Sequence, residues 1–328
     1  MKRHIQTTLS DMYFAKEDFI NQTRIVFLDE QKAPVELFVL RKADVSFSDI
    51  YQARIIGKAP DQKSYFADIG QQRTVFIKTK NNLREGQLLT VQIQQEEKLD
   101  KIAAARLLNE QRDVPVGLLE KAPLPDTSDK TELPWSEEIE EAFENILEPI
   151  VNFANGARLI FERTHAFWSI DVDSGKSTQS AKDINKKAVS LIAKEIIKRN
   201  LSGNILVDFI GYKKKTDLKE FIPIFKEYLS KSDIPFSIVG ISPIGNFEIR
   251  RDRQRACLLD SLSSPSALAY QFFKKILKAK ASVTKACVSS LLYKTLNTQL
   301  AEDWEKVQKK NGQEIKLNIQ PQLEGYQI

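Results

Sequence analysis

The sequence predicts an α/β protein interrupted by a small closed β-barrel. Two apolar strands, residues 166–172 and 204–210, carry carboxylates at their ends, and a helical stretch lies between them. The second half runs strand, helix, strand, helix, strand, an order that predicts parallel strands with covering helices. Residues 46–96 instead hold several short strands spaced about ten residues apart, the pattern of a small barrel.

The elements follow in order. Residues 23–29 and 34–41 read as a hairpin across the polar linker Glu30-Gln31-Lys32-Ala33. In the barrel block, strands fall at 52–56, 64–68, 73–77 and 88–93, punctuated by Pro60 and Gly70. Residues 102–108 carry a short helical pattern, and Pro123, Pro125 and Asp126-Thr127-Ser128-Asp129 mark a linker. Ser136 reads as the N-cap of a helix whose first turn gains from Glu137 and Glu138 and which ends at Pro149. A strand at 157–163 precedes the first carboxylate strand. Residues 183–201 are amphipathic, with Ile184, Ala188, Leu191, Ile192 and Ile196 on one face and Ser202-Gly203 as the stop. A helix near 216–231 contains Pro223, which predicts a kink or a two-part helix. Residues 236–242 read as a buried strand, 265–280 and 283–299 as helices, and 313–320 as a last strand through the alternation of Ile315, Leu317 and Ile319.

Composition narrows the function. The chain has 328 residues, 42% hydrophobic and 28% charged, enough for two or three modules. No run of eighteen apolar residues predicts a membrane span, and no apolar stretch follows Met1-Lys2-Arg3-His4-Ile5-Gln6 as in a secretory leader. Cys257 and Cys287 are the only cysteines, which excludes a disulfide framework and a Cys-x-x-Cys zinc site and fits a reducing cytoplasm. His4 and His165 are the only histidines and lie far apart, against a two-histidine ribonuclease mechanism. Ser174-Gly175-Lys176-Ser177 lacks the upstream glycine of a nucleotide-binding loop.

Net charge is +5, with pI near 8.9. The positive charge is clustered, in Lys213-Lys214-Lys215, in Arg250, Arg251, Arg253 and Arg255, and in Lys274, Lys275, Lys278, Lys280 and Lys285. Asp171 and Asp173 share a face if their strand is regular, and a right-handed crossover brings Asp208 to the same edge, where open α/β sheets bind ligands. Carboxylates among apolar residues are costly unless compensated, and Mg²⁺ is the usual compensation. Positive charge nearby suits a polyanion that must reach a metal. The alternative is that these aspartates only make turns. Phe66 and Phe76 either stack bases on the barrel surface or fill its core, and spacing alone favours the core. Arg251 and Arg253 alternate, so both could follow one phosphate track; arginine runs are more commonly plain surface.

Leu159-Ile160-Phe161-Glu162-Arg163-Thr164-His165-Ala166 followed by Ser169-Ile170-Asp171-Val172-Asp173-Ser174 resembles the catalytic strand pair of the ribonuclease E/G family. Residues 201–210 resemble that family's next strand, Glu248-Ile249-Arg250-Arg251-Asp252-Arg253 its Glu-x-x-Arg-x-Arg segment, and block 46–104 with Ala67-Asp68-Ile69-Gly70 its S1-type OB fold. The resemblance implies an RNase H-like catalytic domain with an inserted S1-type OB-fold barrel. Residues 1–44 would begin the RNase H-like domain, 45–104 form the RNA-binding barrel, 105–136 the linker and 137–328 the catalytic part with C-terminal helices. It also implies a Mg²⁺-dependent endoribonuclease that acts on single-stranded RNA and leaves 5′-phosphate and 3′-hydroxyl ends. By position Asp171 and Asp208 match metal-binding aspartates. Asp173 stands in place of an Asn that helps activate water, and Asn185 matches a second active-site Asn. Phe66, Phe76 and Lys101 fall at RNA-contacting positions of the barrel, and Arg251 and Arg253 would hold phosphates.

The departures are specific. His165 stands where the family usually has Glu, and Gly211 where it often has Asp. The stretch between barrel and catalytic strands lacks the Arg-Thr pair of the 5′-end sensor. The zinc link that joins subunits is absent, so a homo-oligomer would need another contact. These departures motivate a second reading, a non-catalytic RNA-binding protein in ribosomal RNA maturation; a DNA-directed nuclease is a third.

Overall fold

The computed structural model describes residues 13–61, 63–98, 101–110, 112, 114–211 and 217–328, and the statements below concern those residues. The hexapeptide at the N-terminus and Lys213–Lys215 lie outside them.

Strands β1 (Tyr13–Phe19), β2 (Gln22–Leu28) and β3 (Pro34–Arg41) form an antiparallel meander. The chain then leaves for a barrel built of β4 (Ile50–Lys58), β5 (Ser64–Asp68), β6 (Thr74–Lys78), β7 (Leu88–Gln95) and β8 (Ala104–Leu107). Pairing runs β4-β5-β6-β8-β7 and back to β4, so the barrel is closed, with β6 and β8 parallel. This is an OB-like barrel. Its core holds Ala53, Ile55, Tyr65, Ala67, Val75, Ile77, Val91 and Ile93. The fifth strand corrects the helix expected over 102–108. The apolar run there has helical propensity, but its backbone donors and acceptors are claimed by β6 and β7, and that pairing closes the barrel.

Strand β9 (Gly117–Glu120) lies against β4, and β10 (Thr131–Glu132) pairs in parallel with β1, completing a four-stranded sheet β10-β1-β2-β3. The strands in 13–41 therefore form a sheet of their own and do not join the sheet that carries the aspartates. Helix α1 (Glu137–Glu144), capped by Ser136, sets Ile139 and Phe143 against Val26, Leu28 and Leu37 of that sheet.

The carboxylate sheet has six strands: β11 (Ile150–Phe153), β12 (Ala157–Arg163), β13 (Phe167–Asp173), β14 (Gly203–Asp208), β15 (Phe236–Ile241) and β16 (Phe247–Arg251). Their order is β11-β12-β13-β14-β16-β15. Only β13 and β14 are parallel, which corrects the expectation of a parallel sheet. The other connections are hairpins or reverse the chain before it re-enters. Helix α2 (Ala181–Lys198) is the crossover between the parallel pair, and α3 (Phe221–Leu229) continues from a 3-10 turn at Asp217–Glu220. Pro223 sits in the first turn of α3, where its missing N–H has no helical acceptor to lose; the stretch is divided into the 3-10 turn and α3, the two-part form of the expectation. Both helices pack on one face, burying Leu159, Phe161, Ile170, Val172, Ile205, Val207, Phe247 and Ile249 against Ile184, Ala188, Ile192, Ile196, Phe221 and Phe225. The opposite face carries Arg158, Ser169, Asp171, Asp173, Asn204, Asp208 and Arg250.

The C-terminal part contains α4 (Leu258–Ser263), α5 (Pro265–Leu277), β17 (Lys285–Val288), α6 (Ser290–Asn297), α7 (Ala301–Asn311), β18 (Lys316–Ile319) and β19 (Tyr326–Gln327). The helix expected over 283–299 is a strand followed by a helix: Ser289 accepts from the Leu292 N–H and starts α6 anew. Helix α7, not foreseen in the sequence, packs Trp304 on Phe272 and Phe273.

One buried cation ties α1 to α2. Arg199 donates to Glu195 at 2.8 Å and to the carbonyls of Ile146, Glu148 and Asn145 at 2.9, 2.9 and 3.2 Å, and its guanidinium lies 4.7 Å from the Phe161 ring. Glu195 is 2% exposed and is paired also with Lys198, so loss of Arg199 leaves one oxygen of a buried carboxylate and three carbonyls short of donors. Arg199→Ala is expected to lower the free energy of urea unfolding by about 3 kcal/mol. Arg199→Lys should recover little of that, because an ammonium lacks the planar fork.

Candidate active site

Parallel pairing of β13 with β14 sets Ser169 opposite Leu206, Ile170 opposite Val207 and Asp171 opposite Asp208. In-register partners point to the same face of a sheet and stand about 5 Å apart at the backbone. The two carboxylates are therefore neighbours on the helix-free face, each at the C-terminal end of its strand. Burial raises the Asp171 carboxyl above the usual aspartate range, and the charges of Asp208, Asp173 and Glu162 push it the same way.

The chain after Asp208 is fixed from below. Phe209 packs on Phe221 and Phe247, with ring centroids 4.9 and 6.2 Å away. Asn185, wholly buried on α2, donates to the Ile210 carbonyl at 2.9 Å and accepts from its N–H at 3.2 Å. This corrects the placement of Asn185 at the reacting groups. Its amide is spent on the backbone two residues beyond Asp208, so it positions that carboxylate from inside the core.

Asp173 lies on the same face as Asp171 and is already engaged. It accepts from the Gly175 N–H at 2.8 Å and forms an ion pair with Arg158, and these two partners hold its carboxyl below the ordinary value. Gly175 has φ +51°, and a Cβ there would stand 2.2 Å from the Gly156 carbonyl oxygen. The turn after Asp173 thus has room only for glycine, with its neighbour Lys176 bonded to Gly156 and Ser177 to Ala154.

The arginines are not where the sequence put them. Arg251 is 1% exposed and donates to Asn200, the Leu201 carbonyl and Ser232 at 2.8, 2.9 and 2.9 Å. Burial pulls its guanidinium down to about 10. It faces the core with Phe247 and Ile249 and cannot follow a phosphate track, which corrects that expectation. Arg250, its neighbour, is exposed on the carboxylate face opposite Asn204 and Ser237. Arg253 lies just beyond β16 and is half-buried. His165 is in the turn before β13, at the end of the strand away from Asp171.

On the barrel, Phe66 and Phe76 are cross-strand partners with ring centroids 5.9 Å apart, edge to face. They are half-buried on the outer face, while Tyr65, Ala67, Val75 and Ile77 fill the interior. The core reading of the two rings is therefore overturned. The Phe76 N–H donates to the Ala103 carbonyl, and exposed Lys101 lies two residues upstream on the chain that runs beside Phe76.

A concavity of about 1180 Å³ lies between the four-stranded sheet, residues 121–126 and residues 230–234 and includes neither Asp171 nor Asp208. Their open face suits a long substrate that lies across it. Among the described residues no group of three or more His, Cys, Asp or Glu side chains gathers as a ligand set. The Asp171–Asp208 pair alone fits a hard cation that takes one or two carboxylates and keeps its waters. No helix of the described residues is long and apolar enough to cross a membrane.

Fold and site together define a mixed α/β protein with an OB-like barrel beside a sheet bearing paired carboxylates. The profile of the Ribonuclease E/G family matches residues 43–254, and the chain belongs to that family. A ribonuclease E/G-like protein of Pyropia yezoensis is 33% identical over 140 residues, 41% of this chain and 28% of that protein. Ribonuclease G of Salmonella typhimurium is 29% identical over 124 residues, 36% of this chain and 25% of its own length. A chloroplastic ribonuclease E/G-like protein of Arabidopsis thaliana is 30% identical over 141 residues, 40% and 14% respectively. The matched stretch is thus no more than 28% of any of these three relatives.

Two outcomes test the geometry. Because the folded state holds the Asp171 proton more tightly than the unfolded chain, ionising Asp171 lowers stability as pH rises through its raised value. Asp208→Asn should lower the Asp171 midpoint in a carboxyl ¹³C NMR titration; an unmoved midpoint would mean the two groups do not face each other. Arg251→Met should cost about 3 kcal/mol of stability by denaturant unfolding, while affinity for a labelled RNA oligonucleotide stays within twofold under native conditions.

Proposed function

We propose that the protein is a Mg²⁺-dependent endoribonuclease that hydrolyses single-stranded RNA to 5′-phosphate and 3′-hydroxyl ends in RNA processing or decay. The observation that carries this reading is the in-register pair Asp171 and Asp208 on an open sheet face, in a chain of the ribonuclease E/G family. Asp171 and Asp208 would hold the ion through carboxylate oxygens. A bound Mg²⁺ supplies a positive charge at the scissile phosphate and a lowered pKa for coordinated water. Asp173, fixed by Arg158 and the Gly175 N–H, orients the attacking water through its remaining acceptor capacity, and Asn185 keeps the chain after Asp208 in place. In this reading residues 45–104 are an S1-type barrel that holds the RNA, Phe66 and Phe76 stacking bases at about 1–3 kcal/mol each, with Lys101 neutralising phosphate.

A second reading, an RNA-binding factor without cleavage, is favoured by one observation: Asp173 is committed to Arg158, leaving a two-carboxylate site among the described residues. The deciding assay is cleavage of a labelled, A/U-rich single-stranded RNA in Mg²⁺ or EDTA. Asp171→Asn and Asp208→Asn are each expected to slow cutting roughly 10²-fold or more, the scale of losing an electrostatic group at a reacting centre, with RNA binding retained. Binding by the wild type without Mg²⁺-dependent cutting would establish the second reading instead.

A further inference from the structure

Buried arginines in this protein have acceptors: Arg24 has Glu17 and Glu140, Arg41 has Gln22 and the Ser261 carbonyl, and Arg199 and Arg251 have the partners described above. One cluster holds more cations than its acceptors reach. It lies at the seam where the last residues of β7 meet the chain after β16. There the Glu96 N–H donates to the Gln254 carbonyl at 2.8 Å, and the Ala256 N–H donates to the Glu96 carboxylate at 2.7 Å. Lys98, two residues beyond Glu96, and Arg253, next to Gln254, are thereby on adjoining chains. Arg163, at the end of β12, reaches the same segment, with Nη1 3.7 Å from Cys257 Sγ.

Three cations meet there beside two carboxylates that are already engaged: Glu96 accepts from the Phe47 and Ala256 N–H groups at 2.8 and 2.7 Å. Asp260 is taken by Arg163 in a two-pronged pair. Burial pushes the Cys257 thiol up to about 12, so it supplies no negative charge. Burial together with the charges of Arg253 and Arg163 lowers the Lys98 ammonium. Neither Lys98 nor Arg253 makes a side-chain hydrogen bond or ion pair with a described residue, and the Nε atoms of Arg163 and Arg253, like that of Arg251, are shielded from solvent without an acceptor. Like charges in a half-buried seam repel, and an anion there would reverse the sign of the interaction.

We propose that Lys98, Arg163 and Arg253 form a phosphate site that takes a backbone phosphate of the RNA strand carried on the barrel. The choice of RNA follows from continuity of surface. Lys98 and Lys101 exchange both backbone hydrogen bonds, at 2.9 and 2.7 Å, and the next residues run beside Phe76. A strand stacked on Phe66 and Phe76 has its phosphates one hairpin away from the seam. A phosphate bound there would also clamp the barrel to the chain leaving β16.

This inference rests on the reading of the barrel as an RNA surface, and its test does not use cleavage. The full chain is titrated with a fluorescent oligouridylate in EDTA over a series of KCl concentrations, alongside Lys98→Gln, Arg253→Gln and Lys98→Arg. Each phosphate contact on a single strand contributes about −0.7 to the slope of log affinity against log salt. Each glutamine variant should flatten the slope by about that amount and weaken binding at low salt, while Lys98→Arg keeps the wild-type slope. Slopes equal to wild type overturn the site, as does a weakening that is the same at every salt concentration. Inorganic phosphate is compared with chloride at matched ionic strength by thermal unfolding. Stabilisation by phosphate with unchanged RNA slopes would assign the site to a free anion and overturn the RNA assignment. Failure of Mg²⁺-dependent cutting would sink the nuclease reading and leave this measurement standing.

Discussion

The pairing register of β13 and β14 is the constraint on which the rest of the site depends. A slip of one residue by either strand would turn its aspartate toward α2 and expose Ile170 or Val207 in exchange. The register is held by the apolar alternation of both strands on Ile184, Ala188, Ile192 and Ile196, and by Asn185, which ties α2 to Ile210. The same contacts that bury the core therefore aim the carboxylates outward. Repulsion between the two aspartates acts against this arrangement, and the stored mismatch is what a cation would relieve.

Much of the fold was legible in the sequence because apolar period and capping chemistry agreed. The strands at 157–163 and 166–172, the Ser136 cap, the crossover helix and the barrel block all appear close to their expected places. Failures came where tertiary pairing overrode local preference. The alanines at 103–105 favour helix in isolation, yet β8 is the strand that closes the barrel. Helix α7 offers few apolar side chains besides Trp304 and Val307, too sparse a stripe to stand out from a polar loop.

The site was half legible. Asp171, Asp173 and Asp208 share a face as the alternation implied. Arg251 could have been placed correctly by the same rule, since it is in phase with Phe247 and Ile249; its charge hid the signal. Asn185 sits beside Ile184 and one turn before Val189, inside the buried stripe of α2, which marks it as a core residue with a backbone partner. Phe66 and Phe76 show the reverse error: they are out of phase with Ala67 and Val75, so the alternation that fills the barrel core leaves both rings outside it. Arg158, Arg163 and Lys98 were not singled out, because their importance lies in neighbours distant in sequence.

The barrel is inserted between β3 and β10, which lie in one sheet, and this has a consequence for how the chain emerges during synthesis. The apolar underside of β1–β3, with Ala15, Val26, Leu28 and Leu37, is covered by Ile139, Phe143 and Ile146 and finally by Leu258. Those covering residues are translated only after the whole barrel, whose core draws on its own strands and the loops beside them. At roughly 5–20 residues per second, the N-terminal meander waits for several seconds with its greasy side bare, while the barrel can close at once. The order of completion is thus the middle of the chain first and the beginning last, and the nascent meander is the segment most in need of shelter on the ribosome.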